Sequence, residues 1–332
     1  MKRDALNNDI EISCIIVSYN EVDYLANAIE SCLEQIRVEG KYELIIGDDG
    51  SNDGSIDLIK RYAFAYPNII SYFVMNRDEN DSEIIASIRV SNVIKKGLSL
   101  AKGKYITLLS GDDWFCDKEK FYKQVGILKN CKRKVNICNF KKVFDDGEEV
   151  VFFNKKCPND YLLNFKYIHV SAFMFSKEVF DRELLFDRFC DDVGMVYSLD
   201  AMGDEFTYCD DVMFAYRQRG SSIMHTKSDL ELAIIELLLL QDVLNSRRTE
   251  KVDVWMRFIS PISEVFRNRN IIQDDPRFIK YINSSKKYDN DVLSLLYHFD
   301  ERPLLERAKL CVLYFLKKFK SKYLHHKYKK YR

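Results

Sequence analysis

Four short runs of β-branched and aliphatic residues recur in the first third of the chain, separated by stretches of helical spacing. Residues 12–18, 42–47 and 104–109 have the continuous apolar character of strands buried on both faces, as parallel strands are. Residues 69–74 supply the remaining run. Between them Leu25, Ile29, Cys32 and Leu33, then Ile56, Leu58, Ile59 and Tyr62, then residues 84–100 repeat at helical intervals. Asn20 is placed to cap the first helix and Gly103 to close the third. A β-α-β-α-β-α-β order requires crossover connections, which put helices on both faces of the sheet. The expected fold is α/β: a Rossmann-like, doubly wound, mostly parallel sheet.

The ends of these strands carry acids. Asp48-Asp49-Gly50-Ser51 follows the second run, and Gly111-Asp112-Asp113-Trp114 follows the fourth. In an open α/β sheet ligands bind at that carboxyl edge. Carboxylates held there suit a hard divalent cation, Mn²⁺ or Mg²⁺, which would neutralise a diphosphate. The same residues also suit turns and helix caps. On these stretches alone both readings stand. Tyr19, at the end of the first run, is placed to stack on a nucleobase, and Asp49 to accept a hydrogen bond from a pyrimidine N–H.

Composition excludes several classes. Fifty-one basic residues balance 51 acidic ones, so no overall field argues for nucleic acid. The nine cysteines include no C-x-x-C pair, which argues against a zinc site or a disulfide framework and for a reducing, cytoplasmic setting. No apolar run reaches the length of a membrane span. The last sixteen residues carry Lys and Arg but no acid. With the apolar stripe of the final helix, they read either as a peripheral contact with an anionic membrane or as a packed helix with a solvated tail.

The second half is less regular. A helix over 118–128 and a hairpin of 135–144 with 149–153 across Asp145-Asp146-Gly147 are expected. A strand over 170–175, with Ser176 capping a helix that holds Val179 and Phe180, follows. Residues 206–216 read as extended. From about residue 229 the pattern is helical throughout, so the expected division is 1–226 for the sheet domain and 227–332 for an α-helical C-terminal extension.

Taken in order, Val17-Ser18-Tyr19-Asn20-Glu21, Asp48-Asp49-Gly50-Ser51, Ala101-Lys102-Gly103-Lys104-Tyr105-Ile106, Gly111-Asp112-Asp113 and Tyr216-Arg217 with Ser221-Ser222 resemble the motifs of family 2 glycosyltransferases. These are inverting enzymes of the GT-A fold, and the similarity covers roughly residues 10–225. The resemblance implies a nucleotide-sugar donor, with UDP the expected nucleotide, and an acceptor hydroxyl on a saccharide or lipid-linked saccharide. It implies donor contacts from Ser18, Tyr19, Glu21, Asp49, Arg89, Asp112, Arg217 and His225, and a metal on Asp113. Gly111 stands where a strict Asp-x-Asp has its first acid. Arg89 reads equally as a phosphate ligand or a solvated charge, and a lone histidine such as His225 is more often a surface or packing residue. Asp192, paired with Asp191, stands where the family has its catalytic base, with Asp204-Glu205 and Asp210-Asp211 as competitors. A nucleotidyltransferase and a non-catalytic sugar-nucleotide-binding protein of the same fold are the rival readings. The first would need a Gly-rich basic loop, which Ser18-Tyr19-Asn20-Glu21 is not.

Overall fold

A computed structural model describes residues 10–38, 41–77, 86–132, 134–153, 168–179 and 206–219, with isolated positions at 233, 264 and 268. The chain divides into two compact units, Met1–Tyr161 with Phe165–Ser222, and Leu162–Asn164 with Ile223–Arg332. The expected C-terminal helices and basic tail lie outside the described residues. Among the described residues no helix is long and apolar enough to cross a membrane.

The first unit is built on one sheet. β1 (Ile12–Ser18), β2 (Tyr42–Asp48), β3 (Ile70–Val74) and β4 (Tyr105–Ser110) lie parallel in the order β3-β2-β1-β4. All seven residues of β2 are buried, and β1 and β4 are nearly so, as strands covered on both faces must be. The alternation along β1 shows the two layers directly. Cys14 Sγ lies 3.7 Å from Cys32 Sγ on α1 (Val22–Leu33). The next side chain, Ile15, packs on the opposite face against Gly97 of α3 (Ala86–Leu100). α2 (Ser55–Ala65) joins β2 to β3.

Beyond β4 the sheet reverses. β8 (Phe173–Ser176) runs antiparallel to β4 and to β6 (Val135–Phe144). β6 also pairs antiparallel with β7 (Glu149–Phe152), the expected hairpin, and parallel with β9 (Phe206–Gln218). A short β5 (Trp114–Phe115) pairs antiparallel with β9, so the residues immediately after Asp113 are stitched to the far side of the sheet. α4 (Lys120–Lys129) carries a fully buried Lys120, whose ammonium donates to Thr107 Oγ1 on β4 at 3.2 Å and to Gln124 Oε1. Burial lowers its pKa, because an enclosed ammonium loses hydration.

Three local expectations are corrected. Asn20 does not cap α1: it sits in the left-handed region at φ 52°, and its Oδ1 accepts from Asn52 N–H at 3.0 Å. The first helical amide, Val22 N–H, is instead satisfied by Asp53 Oδ2 of the β2 loop at 2.9 Å. Gly103 lies beyond the end of α3 and serves an approach. A Cβ there would lie 2.4 Å from the Ser13 amide nitrogen of β1. Residues 170–172 form a 3-10 turn before the strand, and a second 3-10 turn, Lys177–Val179, follows Ser176 in place of the expected helix start.

Candidate active site

Register brings the acidic loops together. Ser18 pairs with Asp48 and Val17 with Ser110, so Tyr19, Asp49 and Gly111-Asp112-Asp113 emerge from three adjacent strands at one edge. Asp48 turns inward, and its carboxylate accepts from Ser51 N–H and Ser51 Oγ, both at 2.7 Å. This is the turn-closing role that an Asp at this position suits. Burial raises its pKa, and the Ser51 hydrogen bonds oppose that shift.

Asp49 is the anchor of the outer half. Its amide donates to Ser18 O at 2.9 Å, and its carboxylate takes a bidentate pair from Arg89, Nε to Oδ2 and Nη2 to Oδ1, both 2.7 Å. Both side chains are only 9% exposed. Arg89 also donates to Asn76 O at 3.3 Å. The structure therefore places Arg89 against Asp49 and not on a solvated surface. Arg77 completes this half: Nη1 lies 3.4 Å from Asp49 Oδ2, and the guanidinium carbon sits 3.7 Å from the centre of the Tyr19 ring. The two groups expected to read a base, Tyr19 and Asp49, are thus both in contact with one arginine.

The inner half gathers around the β4 turn. Gly111 N–H donates to Val17 O at 2.8 Å, and a Cβ at this position would lie 2.3 Å from Glu21 Oε2. Glycine at 111 therefore leaves room for the Glu21 carboxylate beside Asp112. Arg219 bridges these two acids, Nη2 to Asp112 Oδ2 and, at 3.3 Å, to Glu21 Oε1. The pKa of Glu21 is pushed well up by burial and by the nearby Asp112 charge, with Arg219 opposing both. Glu21 Oε2 and Ser18 Oγ are buried without hydrogen-bond partners among the described residues.

Asp113 is fully buried. Its Oδ1 accepts from Arg217 N–H at 3.0 Å, and its Oδ2 faces His169 Nε2 at 3.4 Å. The Arg217 guanidinium bonds Asp112 O through Nε at 3.0 Å and lies 4.7 Å from each of the Tyr24 and Trp114 ring centres. His169 is 4% exposed, and burial lowers its pKa to about 4, so the ring is neutral at physiological pH.

Ser18, Tyr19, Glu21, Asp49, Arg89, Asp112, Asp113 and Arg217 thus belong to one contiguous constellation. Asp191, Asp192 and His225 lie outside the described residues. His169, Arg77, Tyr24 and Trp114 were given no role from sequence. Trp114 adjoins the acidic pair and Tyr24 the first motif, so proximity was a usable signal for both. His169, a lone histidine before an apolar strand, offered none.

Among the described residues no group of three or more His, Cys, Asp or Glu is arranged to hold a metal ion. One or two carboxylates nevertheless suffice for Mg²⁺ or Mn²⁺ when substrate phosphates complete the shell. A buried carboxylate whose contacts include an amide and a neutral imidazole fits such a site.

Comparison with known proteins agrees with this fold. TarS from S. aureus, solved in complex with UDP-GlcNAc, superposes with a TM-score of 0.59 at 16% identity, covering 92% of this chain and 89% of that one. An uncharacterized protein of Mycobacterium tuberculosis is 26% identical over 228 residues, 65% of this chain, and the match spans 61% of that relative's length. The poly(ribitol-phosphate) beta-glucosyltransferase of Bacillus spizizenii is 24% identical over 159 residues, 48% of this chain and 24% of that protein. The family model for glycosyl transferase family 2 matches residues 13–189, more than half of the chain, and the protein belongs to that family.

Proposed function

We propose that this chain transfers a sugar, with inversion, from a nucleotide-diphosphate donor to a hydroxyl of a saccharide or lipid-linked saccharide. The observation that carries the reading is the shared edge: Tyr19, Asp49 and Asp112-Asp113 leave three register-matched neighbouring strands at the end where such sheets bind ligands. UDP is the favoured nucleotide. Asp49 Oδ1 keeps a lone pair beyond its Arg89 bond to accept a pyrimidine N–H, and Tyr19 offers the stacking surface. The UDP-GlcNAc bound by TarS supports this choice.

Asp113 is the residue that would hold Mn²⁺ or Mg²⁺, with Asp112 toward the donor ribose or sugar. The ion supplies a counter-charge to the departing diphosphate. Arg217 and Arg219, both bound to Asp112, would meet the charge of the leaving diphosphate, a role that the family resemblance also gives to His225. Asp192, with Asp191 beside it, is the base that takes the acceptor proton as the hydroxyl attacks the anomeric carbon in line. A single displacement needs one base and no enzyme nucleophile, which is why inversion suits this residue set. The acceptor of the Bacillus spizizenii relative supports a bacterial surface polymer as the acceptor class. The basic tail, residues 317–332, suits peripheral contact with an anionic membrane on the cytoplasmic side.

The test is a calorimetric panel of UDP, UDP-sugars and GDP-sugars with and without Mn²⁺, followed by transfer assays on Asp192→Asn. The reading expects metal-dependent binding of a UDP-sugar, and donor binding without transfer in the variant. Transfer retained by Asp192→Asn would remove that residue from its role.

A further inference from the structure

We infer that His169 is a positioning residue for Asp113, orienting the strand-end carboxylate as a hydrogen-bond donor, and that it is not itself a metal ligand. The inference rests on the assignment of the metal to Asp113 above. A histidine beside an acidic pair invites the opposite role, since imidazole is a common ligand. The ring's other nitrogen decides between them. Nδ1 accepts the Ser171 amide proton at 3.2 Å, at the start of the 3-10 turn that leads into β8. In a neutral imidazole one nitrogen accepts and the other carries the hydrogen, so the proton is on Nε2. A nitrogen that bears hydrogen has no lone pair to give a cation.

Nε2 faces Asp113 Oδ2 at 3.4 Å. The contact does not have hydrogen-bond geometry in this structure; pairs in apo sites are commonly long or poorly aligned and tighten on loading. Oδ1 of the same carboxylate is held by Arg217 N–H on β9. Asp113 leaves β4, yet its two oxygens are addressed from two other elements. The imidazole cannot swing away easily: its centre lies 4.4 Å from the Tyr216 ring, 5.2 Å from Phe214 and 6.4 Å from Phe140. Groups that orient a metal-binding side chain in this way set metal affinity without touching the ion.

His169→Phe keeps an aromatic ring against Phe140, Phe214 and Tyr216 but removes both nitrogens. His169→Gln returns an N–H near the place of Nε2. Mn²⁺ is titrated calorimetrically into each variant and wild type at saturating UDP, with melting curves as the check on folding. The Phe variant is expected to bind Mn²⁺ about 10- to 100-fold more weakly, to bind UDP alone as wild type does, and to be largely rescued by Gln. Wild-type Mn²⁺ affinity in the Phe variant overturns the inference. Should that variant not fold, ¹⁵N NMR of the metal-free wild type at neutral pH still decides: a proton on Nε2 supports the donor role, and a proton on Nδ1 overturns it. Wild type that takes up no Mn²⁺ at all overturns the metal reading itself, an outcome distinct from Mn²⁺ binding that His169 does not influence.

Discussion

The two sides of the β1–β4 boundary assemble their parts of the site in opposite ways. On the parallel side, β1 and β2 end in loops that hold one another through short contacts: Asn20 to Ser51 and Asn52, Glu21 N–H to Ser55, Asp49 to Arg89. On the antiparallel side, residues from distant segments converge on the acids of a single strand end. His169 comes from the approach to β8, and Arg217 and Arg219 from β9 and just beyond it. The parallel side, pre-formed around an internal ion pair, is the proposed reader, whereas the antiparallel side, whose parts depend on the whole sheet having closed, is the proposed clamp.

Replacing one member of the reader should therefore damage stability, and replacing a member of the clamp should damage binding. Asp49→Leu leaves Arg89 buried without the carboxylate that takes its bidentate pair. It should cost about 3–5 kcal/mol in chemical denaturation, the range for an ion pair broken from one side. A loss under 1 kcal/mol would mean that the pair is not the anchor of this half.

The next largest effect is a pH dependence that belongs to the clamp. His169 ionises at about 4 when folded, against an ordinary value near 6.5. Between those values the unfolded chain binds the proton and the folded chain does not. Its contribution is thus present above pH 6.5 and is lost as pH falls toward 4. The span corresponds to about 3 kcal/mol. Glu21, with its raised pKa, acts in the opposite direction, gaining stability as pH falls toward its unfolded value. The slope of metal-free stability between pH 6.5 and 4 should therefore become shallower in His169→Phe and steeper in Glu21→Gln. Unchanged slopes in both would remove this difference between the halves.

Gly111→Ala lies on the boundary. The added methyl would meet Glu21 Oε2 at 2.3 Å, and the far end of that side chain must move away from Arg219. A cost of about 1–2 kcal/mol in stability is expected, with a larger loss of donor binding. If the variant keeps wild-type donor affinity, the fit of Glu21 against Gly111 is incidental. The smallest effect concerns Arg77. Its guanidinium contacts both Tyr19 and Asp49, so a base bound as proposed would have to displace or rearrange it. Arg77→Ala should tighten UMP binding about threefold, as removal of a competing internal occupant does. Weaker binding would instead make Arg77 a clamp on the base.

The same contrast explains what could be read from the chain. The parallel half was legible because each buried strand is a contiguous apolar run, and each loop follows its strand directly. Register then aligned Tyr19, Asp49 and Asp112-Asp113 without further information. The antiparallel half was only partly legible. The β6–β7 hairpin announced itself through Asp145-Asp146-Gly147, and residues 206–216 read as extended, two short of the strand's end at Gln218. No local pattern, however, says that β9 lies between β6 and β5, or that His169 meets Asp113 across 56 positions of chain. Arg89 shows the same limit inside the better half. Its spacing on α3 suited a phosphate ligand or a surface charge, and only the fold shows it buried against Asp49.

Asp113 is proposed to hold a cation that binds together with a nucleotide diphosphate. The most direct measurement of this role is UDP binding by calorimetry across a Mn²⁺ titration, for wild type and Asp113→Asn. Wild type is expected to bind UDP at least about tenfold more tightly with Mn²⁺, and Asp113→Asn to show no Mn²⁺ effect while matching wild type in metal-free affinity. UDP affinity that does not respond to Mn²⁺ in wild type, or an undiminished response in Asp113→Asn, would contradict that role.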